Sequence, residues 1–566
     1  MKSLLFATSF LFVSILGSFA ICSDICEKTL ESAALNNSKK EREKRPLYRI
    51  KPLWDLQKQI QDVEAQMGII KYRLNPPDRQ ESLWEIWSYD DEPAEAEILS
   101  PKEKEALEVR LKQLEEIRDS LIVKAIPFVE KNKKILLDYI NKQMNDSQQA
   151  PLIKEYIQYL QVKSLRHKPF VSVLVGSQLV PPTEKELAEY STLVQGLLSK
   201  GYNIVYDADS HVAPLIAKLT GPLGLGISGG SALINENLLT FKNPFLRLEA
   251  LAGRKTIVGP ESLVGMAVAI NDQADLIFDP NKKFGNSLAR WKNGLDGSKD
   301  NLGLSYSKVF IGRTADRILS AKKGFENVND RITLNLSGFG SINERFSLEK
   351  LEEILNYRDS VINGEKALRD VRGAVVYGSS SLVPVNVDTI YGIGYALGSQ
   401  GIPVVTGGAG GAMLAANMGA YDAGGESIGI PIMGRSQLGA ETKTYSNVQT
   451  KTIPTSSYSS RIPLLMQNRD LVIVVPGGNG TMREVATAMI QHASNPDLPW
   501  QMIFVGQNYF SGLKNAFANM DLPASFLKRI QFVSLIEALP ALQLKGTNAS
   551  QPRSNRKEFP KKEFFK

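Results

Sequence analysis

At 566 residues the chain is too long for one hydrophobic core, so two or three domains are expected. Hydrophobic residues at 43% and charged residues at 22% are the balance of a soluble globular protein, and a net charge of +7 is mild for this length. Two cysteines and three histidines leave little for a metal site or for histidine-based catalysis, so neither a metal nor a cofactor is expected.

The N-terminus departs from the rest. Lys2 precedes an apolar block from Leu4 to Leu16, followed by Gly17, Ser18, Phe19 and Ala20. A basic start, a short apolar core and a small-residue end describe a secretory signal peptide over residues 1–20, which implies an exported protein, periplasmic or secreted. Cys22 and Cys26 lie just beyond it and can form a local disulfide in an oxidising compartment. No later stretch is apolar and long enough to span a membrane. Residues 21–168 are rich in Leu, Glu, Lys and Gln, with helical patterns from Leu53 to Leu74 and from Lys102 to Lys124 and a break at Pro76-Pro77. They predict a helical hairpin or cap packed on the next domain; a partner-binding coiled coil is the alternative.

At Pro169 the pattern changes to short apolar runs that end in Gly and Ser, the mark of strands alternating with helices. Residues 170–181 (FVSVLVGSQLVP) are echoed by residues 373–384 (GAVVYGSSSLVP), and Ser199-Lys200-Gly201 by Ser399-Gln400-Gly401. Further on, Ile227-Ser228-Gly229-Gly230 resembles Val405-Thr406-Gly407-Gly408, and residues 252–260 (AGRKTIVGP) resemble residues 423–431 (AGGESIGIP). The expected class is α/β: two tandem Rossmann-like domains with parallel sheets flanked by helices, at residues 169–314 and 371–545, after a helical N-terminal region. Residues 315–370 connect them and are helical near Leu348 to Tyr357. Residues 546–566 form a basic, solvated tail: from Lys545 to Lys566 there are seven Lys or Arg against two Glu, which reads as a disordered end and not as a nucleic-acid patch.

The second domain carries three Gly-rich turns after strands: Gly378-Ser379, then Thr406-Gly407-Gly408-Ala409-Gly410-Gly411, then Pro476-Gly477-Gly478-Asn479-Gly480-Thr481. Such turns bring bare N–H groups to a ligand at the positive end of a helix, a recipe for holding phosphate. In a parallel sheet they meet at the carboxyl ends of the strands. Where the second domain has residues 476–481, the first offers residues 279–285 (DPNKKFG), with side chains where bare backbone should meet a phosphate. On this reading the first domain has lost the site and serves as a structural partner.

Residues 407–430 (GGAGGAMLAANMGAYDAGGESIGI) and PGGNGTMRE from Pro476 resemble the two signature regions of the Lonely Guy (LOG) family. The resemblance covers about a quarter of the chain well, from Gly373 to about Phe510, and Pro169 to about Pro280 in degenerate form. It implies a nucleoside 5'-monophosphate phosphoribohydrolase, which releases a free base and ribose 5-phosphate, with Arg461 and Glu484 as the catalytic pair. Ile462 stands where the family has Lys, a departure that favours the alternative, a non-catalytic nucleotide-binding or structural module. The implied partner is an AMP-like nucleoside monophosphate and no nucleic acid. Its phosphate would meet the turns of Gly378, Ser379, Thr406, Gly407, Gly408 and Gly410, and those of Gly477, Gly478, Gly480 and Thr481. Arg461 would hold the phosphate or steer the base. Family members resemble homodimers; two copies in one chain would form an internal pseudo-dimer or, failing that, a homodimer.

Overall fold

The computed structural model describes residues 51–74, 100–271, 276–279, 284–287, 310–321, 325–329, 332–343, 345–380, 387–433, 445–495, 500–506, 508–520 and 522–534. The leader at residues 1–20, Cys22, Cys26, Pro76-Pro77, residues 280–283 and 382–384 and the tail at 546–566 lie outside them. The described residues form two compact units, one falling within Met1–Gln143 and Asn343–Glu352, the other within Met144–Ile342 and Glu353–Lys566. In the first unit, helix α1 (Lys51–Leu74) packs on the long helix α2 (Pro101–Gln143) through Met67, Ile70 and Leu114. Among the described residues no helix is long and apolar enough to cross a membrane.

The larger unit begins with α3 (Ala150–Ser164) and holds two seven-stranded parallel sheets. The first half runs β1 (Phe170–Leu174), α4 (Glu184–Ser199), β2 (Asn203–Asp207), α5 (Ala213–Thr220), β3 (Gly224–Ser228), β4 (Leu238–Thr240) and α6 (Pro244–Leu251). It continues through β5 (Lys255–Val258), α7 (Leu263–Ile270), β6 (Leu276–Phe278), β7 (Phe310–Gly312) and α8 (Ala315–Leu319). Helix α9 (Leu348–Leu368) leads into the second half. That half contains β8 (Gly373–Tyr377), α10 (Val387–Ser399), β9 (Val404–Thr406), α11 (Gly411–Asp422), β10 (Ser427–Gly429), β11 (Lys451–Thr452) and α12 (Tyr458–Met466). It closes with β12 (Arg469–Val474), α13 (Asn479–Ser494), β13 (Gln501–Val505), α14 (Ser511–Ala518) and β14 (Ile530–Val533). The fold class is therefore the α/β architecture expected, with helices on a pair of parallel sheets.

Local chemistry explains these elements. β1 is buried along its whole length, and Val472, Ile473 and Val474 of β12 are fully covered, as continuous apolar runs are in a sheet covered on both faces. Each such side chain contributes roughly 1.5–3 kcal/mol by leaving water. Helix α4 starts on a capping box in which the Thr183 hydroxyl accepts the Glu186 N–H and the Glu186 carboxylate accepts the Thr183 N–H. Asn243 caps α6, with Pro244 in its first turn, where the missing N–H costs nothing.

The strand order is β4-β3-β2-β1-β5-β6-β7 in one sheet and β11-β10-β9-β8-β12-β13-β14 in the other, the same topology twice. This corrects the pairing of segments read from the sequence. β5 holds the place of β12, so the counterpart of the turn at 476–481 is Gly259-Pro260-Glu261-Ser262, and residues 279–285 follow β6, the counterpart of β13. Likewise β2 matches β9 and β3 matches β10, so Thr406-Gly407-Gly408 corresponds to Asp207-Ala208-Asp209 and not to Ile227–Gly230, and residues 252–260 do not match 423–431. The slip has a physical source: Gly-Gly and Gly-Pro pairs serve the close turn after almost any parallel strand, so their recurrence does not fix a register.

The halves meet where α13 packs on α6 and α7, and α12 on α6. There the Asn243 side-chain N–H₂ donates to the Ser459 carbonyl at 3.0 Å and to the Tyr357 hydroxyl at 2.9 Å. Behind this contact Glu155 of α3 accepts the Asn243 backbone N–H at 2.7 Å. Burial pushes the Glu155 carboxyl up to about 7 from its ordinary 4.5 despite that hydrogen bond. A carboxyl raised on folding stabilises below its unfolded pKa, and the contribution is lost as pH rises through the folded one. The unfolding free energy is accordingly expected to fall between about pH 4.5 and 7 by on the order of 2–3 kcal/mol from this group. Denaturant titrations at pH 5 and pH 8 check this: Glu155→Gln should lose less stability over the interval than the wild type.

Candidate active site

Strands β9, β8 and β12 lie side by side in the second sheet, and the three Gly-rich turns leave their carboxyl ends together. The turns touch so closely that side chains are excluded. A Cβ on Gly378 would lie 2.5 Å from Val475 and 2.6 Å from Ala412, and one on Gly477 would lie 2.9 Å from the Ser379 amide nitrogen. A Cβ on Gly410 would come within 3.1 Å of the Ser380 carbonyl. Gly408 has φ +73°, a backbone conformation that favours glycine. The Ala412 N–H donates to the Ser379 carbonyl at 2.9 Å and ties the start of α11 to the β8 turn.

Helices α11 and α13 are capped by Gly410 and Gly478, and neither has a side-chain cap. A helix start without a side-chain cap leaves first-turn N–H groups that an anion could meet, although the Ala412 N–H of α11 is taken by the Ser379 carbonyl. The residues expected to hold phosphate divide by environment. Ser379 and Gly478 are half-buried and Gly480 is exposed, with nothing within 4 Å of its Cβ position, so these form the open side. Thr406 is fully buried; its hydroxyl bonds the Asn417 side chain and accepts the Gly408 N–H at 3.0 Å. Thr406 and Gly408 shape the turn from within. Gly378, Gly407, Gly477 and Thr481 are buried beneath the same turns.

Arg461 and Glu484, which are 23 residues apart in sequence, come together here: Arg461 Nη2 stands 3.1 Å from Glu484 Oε1, and both side chains are buried. Ser457 and Ser460 form a capping box that fixes the first turn of α12 and with it Arg461. The guanidinium also faces the β9 turn, with Nη1 3.2 Å from the position of a Gly407 Cβ. Arg461 Nε has no hydrogen-bond partner among the described residues. Tyr377 lies beneath the pair: burial, then the charge of Glu484, pushes its hydroxyl well above the ordinary range. Removing either member of such a buried pair costs about 3–5 kcal/mol, because the survivor is left charged and dry.

Ile462 is fully buried, so the position that carries Lys in the LOG family is here part of the core. Two residues were not anticipated. The Tyr458 ring lies 4.7 Å from the Arg461 guanidinium and 5.9 Å from that of Arg483. The three-residue step from Tyr458 to Arg461 on one helix is the signal that could have shown the first contact. Among the described residues no group of three or more His, Cys, Asp or Glu is arranged to hold a metal.

Residues 373–494, 122 of the 566, match the model of the SLOG cluster4 family. Over these residues, about a fifth of the chain, the sequence is similar to that family. The chain is similar to the molybdenum cofactor binding protein of the phototrophic bacterium Rippkaea orientalis, at 23% identity over 30% of this chain and 93% of that one, with a TM-score of 0.24. It is also similar to a protein titled TM1055, at 20% identity over 31% of this chain and 99% of that one, with a TM-score of 0.23. Among curated proteins no match is found.

The packing predicts a contrast between two glycines of one motif. A Cβ on Gly477 would meet Thr481 Oγ1 at 2.2 Å and the Ser379 nitrogen at 2.9 Å, whereas one on Gly480 meets nothing. Gly477→Ala should destabilise by about 1–3 kcal/mol, and Gly480→Ala should stay within about 0.5 kcal/mol of wild type. Thermal or denaturant melts of the two variants make the comparison.

Proposed function

We propose that the second half, a LOG-like Rossmann unit, is a nucleoside 5'-monophosphate phosphoribohydrolase. The observation that carries this is the buried Arg461–Glu484 pair, 3.1 Å apart, with the guanidinium against the β9 turn at Gly407, where there is no side chain. The 5'-phosphate would bind N–H groups at the starts of α11 and α13, which have no side-chain caps and where the helix dipoles favour an anion. That leaves the ribose over the first two turns of α13, beside Glu484. Breaking the N-glycosidic bond builds positive charge on the ribose ring. The Glu484 carboxylate stabilises that charge and takes a proton from the water that attacks the anomeric carbon, while the base departs with the bonding electron pair. Arg461 fixes the carboxylate and adds positive charge toward the phosphate turn. No metal enters the scheme.

A second reading is favoured by the burial of Ile462: a non-catalytic module that binds the same nucleotide. The packing of α13 on α6 and α7 supports the first half as the internal equivalent of a second subunit. The basic, apolar and small-residue order of residues 1–20 supports export.

Incubation with a panel of nucleoside monophosphates, followed by chromatography for free base, tests the reading. Release should fall about 10²–10³-fold in Glu484→Gln, with AMP affinity by calorimetry nearly unchanged. No release from any nucleotide by folded protein would remove the enzymatic claim, and tight AMP binding without turnover would select the second reading.

A further inference from the structure

We propose that the first half is an anion site that carries its own anion: Asp209, with Asp207, occupies the position at which an external oxyanion would meet Arg247, so the chain accepts one ligand and not two. The equivalence of the halves is geometric. Arg247 is the fourth residue of α6 after the Asn243 cap, as Arg461 is the fourth of α12 after the Ser457 cap. Each arginine faces the turn after the second strand of its sheet, β2 or β9. The turns also fold alike: the Asp209 N–H donates to Asp207 Oδ1 at 3.3 Å, as the Gly408 N–H donates to Thr406 Oγ1 at 3.0 Å.

The charge on the turn is what differs. The Asp209 carboxylate accepts the Gly229 N–H at 2.8 Å and the Ser228 hydroxyl, and pairs with Arg247 Nη2 at 2.9 Å. A backbone N–H, a hydroxyl and a guanidinium converging on one carboxylate are the surroundings of a bound oxyanion. Asp207 adds a second carboxylate on the same nitrogen and accepts the Gln178 side-chain N–H₂ at 2.8 Å. At the neighbouring turn, the Glu261 carboxylate accepts the Gly176 N–H at 2.7 Å and the Tyr190 hydroxyl. Thus carboxylates of the chain itself take up donors at both turns. No acid stands where Glu484 would be: six residues after the Ser262 cap of α7 comes Val268, fully buried, whereas six after Gly478 comes Glu484.

The cluster lies just under the surface. Gly229 is half-buried and Gly230 exposed, while the second half closes the other side with the Ser494 hydroxyl on Arg247 Nη1. Deleting the Asp209 side chain would leave Ser228 and the Gly229 amide without their anion and Arg247 with Asp207 alone, beside a space of carboxylate size.

Melting temperature against inorganic phosphate or acetate tests the proposal on the full chain. Asp209→Gly should melt below wild type and recover in a saturable way with either anion, since a ligand of the folded state stabilises by RT ln(1 + [L]/Kd). Asp209→Asn, which fills the space without charge, should respond no more than wild type, and any response of the second half is common to all three proteins. If Asp209→Gly does not fold, Asp209→Ser opens the same space and carries the same expectation. A folded Asp209→Gly or Asp209→Ser with only the wild-type response would overturn the proposal, as would two nucleotides bound per wild-type chain by equilibrium dialysis. The probe reports on Arg247 and not on Arg461, so failure of the hydrolase reading leaves this result interpretable by itself.

Discussion

An arginine buried beside a turn that has no side chains to neutralise it is the constraint that shapes the second half. Arg461 is nearly inaccessible, finds one carboxylate, and turns its remaining face toward Gly407. A dry guanidinium is tolerable only with charge or good acceptors around it. Glu484 supplies part of that. The capping box at Ser457 fixes the helix turn that carries this cation, and the glycine caps of α11 and α13 and the close contact of the β8 and β12 turns surround it. On the proposed reading, this packing would prepare a place for an anion before any anion arrives, which is how electrostatic preorganisation lowers a barrier.

The two halves are two solutions to one electrostatic problem. Both keep the arginine at the same turn of the same helix, and both aim it at the turn after the second strand. One half neutralises it with Asp207 and Asp209 from its own chain. The other offers Thr406 and Gly408 at those places, with the threonine hydroxyl engaged in internal bonds. In the first half the guanidinium donates to Ser494 at the end of α13; in the second it pairs with Glu484 beside the β9 turn. A duplicated topology does not by itself make a duplicated site.

Much of this was legible in the sequence, for identifiable reasons. The strand–turn–helix at 470–490 announces itself because a buried parallel strand, a glycine turn and an apolar helix each leave a distinct local pattern. The helices at 53–74 and 102–124 carry a strong three-to-four-residue period, although the second runs on to Gln143. The register between the halves was not legible, since short glycine and proline pairs recur at many strand ends. Nor was the sealing of the first half: Arg247 meets acids 38 and 40 residues earlier, and nothing in Asp207-Ala208-Asp209 distinguishes internal counter-ions from a solvated turn. The Tyr458 contact escaped notice because an aromatic at a helix start reads as ordinary packing.

The central claim is that the glycine turns and Arg461 together receive the phosphate of a nucleotide. A crystal structure with AMP tests it most directly. The account predicts one nucleotide per chain, with its phosphate on the N-terminal amides of α11 and α13 and its ribose within reach of Glu484. A nucleotide bound elsewhere, with the Arg461–Glu484 pair and the turns unengaged, would contradict it.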